Sequence, residues 1–180
     1  MQESPKKVKF ETLGCRLNHS ETEVLQRILE QDGYQITRDE IEIDLFVINT
    51  CTVTEQADAK NRQLIRSLNR RHPEASIVVI GCYAQMEGEK ISKMPGVRLV
   101  LGTQEKMELS KHLYFLEHGE AKRVITPSFQ RGAFESPVFR KKNSKTDQKD
   151  SLNTGTFRTR ASLKIQDGCD FMCSFCIIPF

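Results

Sequence analysis

The chain has 180 residues, with 27 Lys and Arg against 24 Asp and Glu and a net charge of +3. That length supports one good core and part of a second domain, and the mixed charge excludes a polyelectrolyte tail or a collagen-like fibre. The opening Met-Gln-Glu-Ser-Pro-Lys-Lys has no apolar stretch behind it, so neither a signal peptide nor a membrane span is expected.

Along the first 118 residues, strand and helix patterns alternate. Val8–Leu13 reads as a strand. Ser20-Glu21-Thr22-Glu23 has the form of a capping box, followed by a helix with Val24, Leu25, Ile28 and Leu29 on one face. Gly33 is placed to end it. Leu45–Asn49 is a short buried-strand run. Thr52-Val53-Thr54-Glu55 repeats the capping pattern, and its helix buries Val53, Ala57, Leu64, Ile65 and Leu68 and stops before Pro73. Ile77–Ile80 is a third strand, with Gly81 and a helix from about Ala84 behind it. Val97–Leu101 is a fourth strand. Thr103 then caps a helix carrying Leu109, Leu113 and Leu116. Continuous apolar strands separated by helices predict right-handed crossovers and a parallel sheet. The expected fold class is therefore α/β, an open flavodoxin-like sheet with helices on both faces.

Residues 120–164 change character, holding eleven Lys or Arg against four Asp or Glu. From 127 to 158 there is little periodicity, and Leu152 is the only aliphatic residue in Arg140–Gly155. This reads as a basic linker or insertion. A basic arm fits a phosphate-rich partner, but for a charge run alone a solvated linker is the favoured reading. Arg62, Arg66, Arg70 and Arg71 form a helical stripe open to the same two readings. Strand-like alternation resumes at Arg160–Ile165.

The chemistry lies in the cysteines. Six of them in a reducing compartment point to metal ligation or catalysis rather than structural disulfides. Cys169, Cys173 and Cys176 form a C-x3-C-x2-C run, with Phe175 before the last. Three thiolates at that spacing can hold three irons of a [4Fe–4S] cluster and leave the fourth open to a small molecule. A zinc site would want a fourth ligand, and no histidine is near. Cys15, Cys51 and Cys82 each follow an expected strand, at intervals of 36 and 31 residues. Parallel strands deliver their carboxyl ends to one edge of the sheet, where open α/β folds build their sites. Gly14 and Gly81 allow close backbone approach there, and helix N-termini favour thiolates. Converging, these thiols make a second three-cysteine [4Fe–4S] site; apart, each is a small buried apolar residue. His19, His72, His112 and His118 read as ordinary surface residues. Asn18 and Asn49 flank the edge, in turn-forming, capping or substrate-bonding roles.

Thr12-Leu13-Gly14-Cys15-Arg16-Leu17-Asn18 with Glu21-Thr22-Glu23, Asn49-Thr50-Cys51-Thr52-Val53-Thr54 with Ala57-Asp58, Gly81-Cys82, and Ile165-Gln166-Asp167-Gly168-Cys169 through Pro179 together resemble the radical S-adenosylmethionine methylthiotransferases. The Thr-Leu-Gly-Cys-Arg-Leu-Asn start is most similar to the branch acting on tRNA threonylcarbamoyladenosine. The branches acting on isopentenyladenosine tRNA and on a ribosomal protein are the alternatives.

The resemblance implies two [4Fe–4S] clusters and S-adenosylmethionine as cofactors. Cys169, Cys173 and Cys176 would hold the cluster that binds and cleaves S-adenosylmethionine, with Phe175 near the cofactor. Cys15, Cys51 and Cys82 would hold the auxiliary cluster that carries the sulfur. Implied partners are the tRNA anticodon region and a small electron donor such as flavodoxin or ferredoxin, in a cytoplasmic setting. The implied organisation is an auxiliary-cluster domain over 1–126, a basic linker over 127–158, and the beginning of a radical S-adenosylmethionine core over 159–180. The family continues with a β/α barrel and an RNA-binding β-barrel, whereas the sequence stops four residues past Cys176. The barrel is therefore expected to be truncated and the polypeptide alone inactive. A non-catalytic iron–sulfur module and a zinc-dependent RNA-binding protein are the readings from other classes.

Overall fold

The computed structural model describes residues 5–52, 54–119 and 123–126. The stretches 127–158 and 159–180, with Cys169, Cys173, Phe175 and Cys176, lie outside the described residues, as does Val53.

The elements run β1 (Lys7–Thr12), α1 (Arg16–Gln31), β2 (Gln35–Ile36), β3 (Leu45–Thr50), α2 (Glu55–Arg71), β4 (Ser76–Gly81), α3 (Cys82–Ser92), β5 (Val97–Leu101), a 3-10 turn (Glu105–Glu108), α4 (Leu109–Glu117) and β6 (Arg123–Ile125). All the strands join one sheet in the order β2-β1-β3-β4-β5-β6, and every pairing is parallel. The expected parallel α/β sheet with helices on both faces is what forms.

Two apolar layers hold it. Residues 45–48 and 77–80 are buried along their whole length, as strands covered on both faces must be. Their side chains alternate between the layers with period two. Phe46, Ile48, Ile77 and Val79 meet Ile65 and Leu68 of α2 and Tyr83, Ala84 and Ile91 of α3. Leu45, Val47, Val78 and Ile80 meet Leu25 and Leu29 of α1 and Leu109 and Leu113 of α4. Among the described residues, no helix is long and apolar enough to cross a membrane.

Helix ends follow local chemistry, with two corrections to the sequence reading. Helix α1 begins at Arg16 with Cys15 as its N-cap, so Ser20 lies a full turn inside and caps nothing. The chain turns at Gly14, whose φ is +123°, and helical geometry starts at once. In α2 the cap is Thr54 rather than Thr52, its Oγ1 accepting from Ala57 N–H at 3.1 Å. Helix α1 closes on Gly33 (φ +92°), with Gly33 N–H donating to Glu30 O and Tyr34 N–H to Leu29 O, the two bonds of a Schellman ending.

Thr54→Ala is expected to lower stability by about 1 kcal/mol. The readout is a lower urea midpoint at unchanged slope. An unmoved midpoint would mean that water replaces the cap without loss.

Candidate metal centre

The three cysteines that precede residue 100 sit where β1, β3 and β4 end, and these strands are direct neighbours in the sheet. Neighbouring strands are about 4.8 Å apart, so the three cysteine-bearing segments leave the sheet side by side. Cys15 is exposed at the N-cap of α1, Cys51 is buried just past β3, and Cys82 is half-buried as the first residue of α3. Two of the three helix starts thus carry a thiol, where the partial positive charge of free N–H groups favours the anion.

The approach of Cys15 and Cys51 depends on Gly14. A Cβ there would stand 2.4 Å from Cys51 Cβ and 3.3 Å from Cys51 Sγ, so the backbone at residue 14 can pack this closely on Cys51 only because it lacks a side chain. Gly81 serves the other side in the same way, with a φ of +99° and no room toward Thr50 O.

Three asparagines anchor the turns. Where strands end, carbonyls lose their ladder partners and need others. Asn18 Nδ2 donates to Leu13 O at 3.1 Å and Thr50 O at 3.0 Å, tying the residues before Cys15 and Cys51 together. Asn61 Nδ2 donates to Cys51 O at 2.8 Å. Asn49 Nδ2 donates to Asn18 O at 3.0 Å and Thr22 Oγ1 at 3.2 Å. Thr50 Oγ1 donates to Ile80 O at 2.6 Å, linking β3 to β4. Asn49 Oδ1 and Asn61 Oδ1 are buried without a hydrogen-bond partner.

Burial, the largest influence, pushes the Cys82 thiol above its ordinary range; Lys106 opposes this, and Cys51, Glu21 and Cys15 add to it. The Cys82 thiol is thus harder to ionise, and a bound metal relieves this by replacing its proton. The three sulfurs do not all lie within 4.8 Å of one another. A single tetrahedral ion with bonds of about 2.3 Å would draw them to about 3.8 Å. A polynuclear cluster, whose irons each take their own cysteine, suits a wider set. The donor set and the helix starts therefore fit an iron–sulfur cluster better than zinc.

The sequence reading missed three members of this edge. Asn61 falls on the buried stripe of α2 with Ile65 and Leu68, and a polar residue at an apolar helical position is the signal that marks it. Lys106 and Glu21 form a buried ion pair at 2.6 Å. In α1 the buried stripe runs Asn18, Glu21, Thr22, Leu25, Leu29, turning polar as it reaches the edge.

His112 is a further correction. It is 6% exposed and not a surface residue; its Nε2 lies 3.3 Å from Glu105 Oε2. Among the described residues, Glu105, Glu108 and His112 alone gather potential ligand atoms within 4.8 Å, and Lys111 already pairs with Glu108. His72 packs on the Phe46 ring at 5.1 Å. In the arginine stripe, Arg62 donates to Tyr83 Oη at 3.0 Å and Arg71 pairs with Glu40, while Arg66 and Arg70 are exposed.

The fold and this edge define a parallel α/β domain that gathers three thiols at the ends of three adjacent strands. A family model described as "Uncharacterized protein family UPF0004" matches residues 7–102. The chain belongs to that family.

Similar curated proteins carry matching names. "Threonylcarbamoyladenosine tRNA methylthiotransferase MtaB" of Bacillus subtilis is 39% identical over 177 residues, covering 96% of this chain and 36% of the relative. The protein of the same name from Aquifex aeolicus is 39% identical over 175 residues, covering 97% of this chain and 40% of the relative. "tRNA-2-methylthio-N(6)-dimethylallyladenosine synthase" of Akkermansia muciniphila is 30% identical over 181 residues, covering 97% and 39%. The chain thus spans well under half the length of these relatives.

Proposed function

We propose that this chain supplies the N-terminal part of a tRNA methylthiotransferase that adds a methylthio group to carbon 2 of N6-threonylcarbamoyladenosine beside the anticodon. The observation that carries the reading is the convergence of Cys15, Cys51 and Cys82 at the ends of three adjacent parallel strands. The higher identity to the two relatives named for threonylcarbamoyladenosine than to the one named for dimethylallyladenosine supports the choice of substrate.

In this reading residues 1–126 form the auxiliary-cluster domain, 127–158 the basic linker, and 159–180 the beginning of the radical S-adenosylmethionine core. Cys15, Cys51 and Cys82 hold one [4Fe–4S] cluster, and Cys169, Cys173 and Cys176 hold the other, with Phe175 beside S-adenosylmethionine. When bound, clusters with three protein ligands supply an open iron each, one for S-adenosylmethionine and one for the sulfur to be inserted. The described residues do the holding. Gly14 lets the backbone before Cys15 pack closely on Cys51, Asn18 and Asn61 fix the carbonyls around the first two thiols, and the α1 and α3 starts direct N–H groups toward the anionic ligands. The tRNA anticodon region and a small flavodoxin- or ferredoxin-type donor are the proposed partners, in the cytoplasm.

The test is to purify the chain without oxygen, reconstitute it with iron and sulfide, and count both per chain. About eight irons, falling to about four in the triple variant Cys15→Ala, Cys51→Ala, Cys82→Ala, is the expected result. About four falling to none would leave only the N-terminal site competent. No iron on a folded chain would end the reading, and zinc in its place would favour a structural metal site.

A further inference from the structure

Helix α2 is acidic where it begins and basic where it ends. Glu55 and Asp58 lie in its first turn, and from Arg62 to Arg71 it carries four arginines and no acid. The helix dipole accounts for Arg70 and Arg71 in the last turn, since its influence fades within one turn. It does not account for Arg62 and Arg66. Arg62, Arg66 and Arg70 recur every four residues, so they form a row on one face with steps of about 6 Å. Other exposed cations have acidic partners: Lys6 pairs with Glu117, Arg71 with Glu40 and Lys111 with Glu108. Arg66 and Arg70 are exposed and form no ion pair among the described residues.

The row borders α3, which packs on the same side of the sheet. Toward the cysteine edge, Arg62 Nη1 donates to Tyr83 Oη at 3.0 Å. At the other end, Asn69 lies against the turn after α3, where a Cβ on Gly96 would stand 3.1 Å from Asn69 Cγ. On α3, Glu87 is neutralised by Lys90 at 2.6 Å, and Lys93 at the C-cap is exposed. The surface along these two helices starts at the candidate metal centre. Helix α2 is capped three residues after Cys51, and α3 begins at Cys82.

Resting on the tRNA reading above, we propose that the Arg62–Arg66–Arg70 row of α2, with Lys93 of α3, is a docking surface for the phosphate backbone of tRNA. Bound there, the RNA is led along α2 toward the edge that carries Cys15, Cys51 and Cys82. The planar guanidinium fork matches two phosphate oxygens at once, and Arg62 is held ready by the Tyr83 hydroxyl. An acidic electron-donor protein would meet the same charges. A regular row of arginines suits a polymer with one charge per nucleotide better than the irregular carboxylates of a protein surface.

The experiment titrates the full 180-residue chain into a fluorescently labelled tRNA transcript and follows anisotropy over a series of potassium chloride concentrations. The double variant Arg66→Gln, Arg70→Gln should bind about tenfold more weakly at low salt, and its slope of log affinity against log salt should be shallower by about two. The control Arg27→Gln, Lys111→Gln removes the same charge from exposed positions on the opposite face of the sheet and should stay within about twofold of the parent. A parent-like urea midpoint shows that each variant is folded. Equal weakening in both double variants, or none in the first, would overturn the docking surface while leaving the tRNA reading intact. Equal affinity of the parent for duplex DNA of the same charge would overturn the assignment to RNA. Unchanged tRNA affinity with slower reduction of the iron-loaded chain by a flavodoxin-type donor would overturn it in favour of a protein partner. A parent that binds no tRNA would overturn the surface and the tRNA reading together, and the iron count tests the metal centre separately.

Discussion

Gly81→Ala should destabilise the metal-free protein by about 2–6 kcal/mol, a large share of the 5–15 kcal/mol typical of a domain. Two independent penalties add. The backbone at Gly81 has φ +99° and ψ −158°, a region that only glycine adopts without strain of about 1–3 kcal/mol. An added Cβ would also lie 2.6 Å from Thr50 O, 2.8 Å from Asn49 Oδ1 and 3.2 Å from Thr50 N. Those neighbours are the backbone of β3 and a buried side chain, so none can swing aside, and overpacking adds about 1–3 kcal/mol. The relief available is separation of β3 from β4 at the ends that lead into Cys51 and Cys82. Iron uptake should therefore fall together with stability. A urea midpoint within about 0.5 kcal/mol of the parent, measured without metal, would mean that the strand ends are looser than this packing requires.

Phe46→Ala should remove about 3–5 kcal/mol. Phe46 is fully buried at the centre of the sheet, among Ile48, Ile65, Leu68 and Ile77, with the His72 ring at 5.1 Å. Strand β3 is paired on both edges, so its backbone cannot move in to fill the gap. The measurement is the urea midpoint beside that of Ile41→Ala, where the side chain is 69% exposed and the change should stay within about 0.5 kcal/mol. Similar losses at both positions would show that Phe46 is not part of a tightly packed layer.

The parallel sheet was legible because its central strands are buried on both faces and must be written as unbroken apolar runs. Leu45–Ile48 and Ile77–Ile80 are such runs, and the Gly and capping residues between them mark where helices belong. The flanking strands were not legible. Gln35–Ile36 is two residues long and Arg123–Ile125 three, too short for any periodicity, and only pairing to β1 and β5 defines them. The cap at Ser20 was misplaced because a local pattern competed with the turn at Gly14, and the turn prevailed.

At the candidate site, the placement of Cys15, Cys51 and Cys82 after strands could be read from spacing alone. The Lys106–Glu21 pair could not. Its partners are 85 residues apart, and nothing near either residue distinguishes a buried charge from a solvated one. Asn61 was within reach, since it occupies an apolar position of its helix. His112 was misread because a histidine on a short amphipathic helix reads as surface until the neighbouring turn covers it.

The strand order has a consequence for how the site comes into being. No short peptide from this region can hold the three thiols, because Cys15 and Cys82 are brought near one another only when β3 has inserted between β1 and β4. The chain must first leave β1, pass through α1 and β2, and return on the other side of β1. Pairings so distant in sequence form late, after the entropy of closing the intervening loops has been met. The cysteine-bearing edge is in this sense a report on completed folding: a chain stalled with β3 unpaired presents three isolated cysteines, and one that has closed its sheet presents them as a single candidate site.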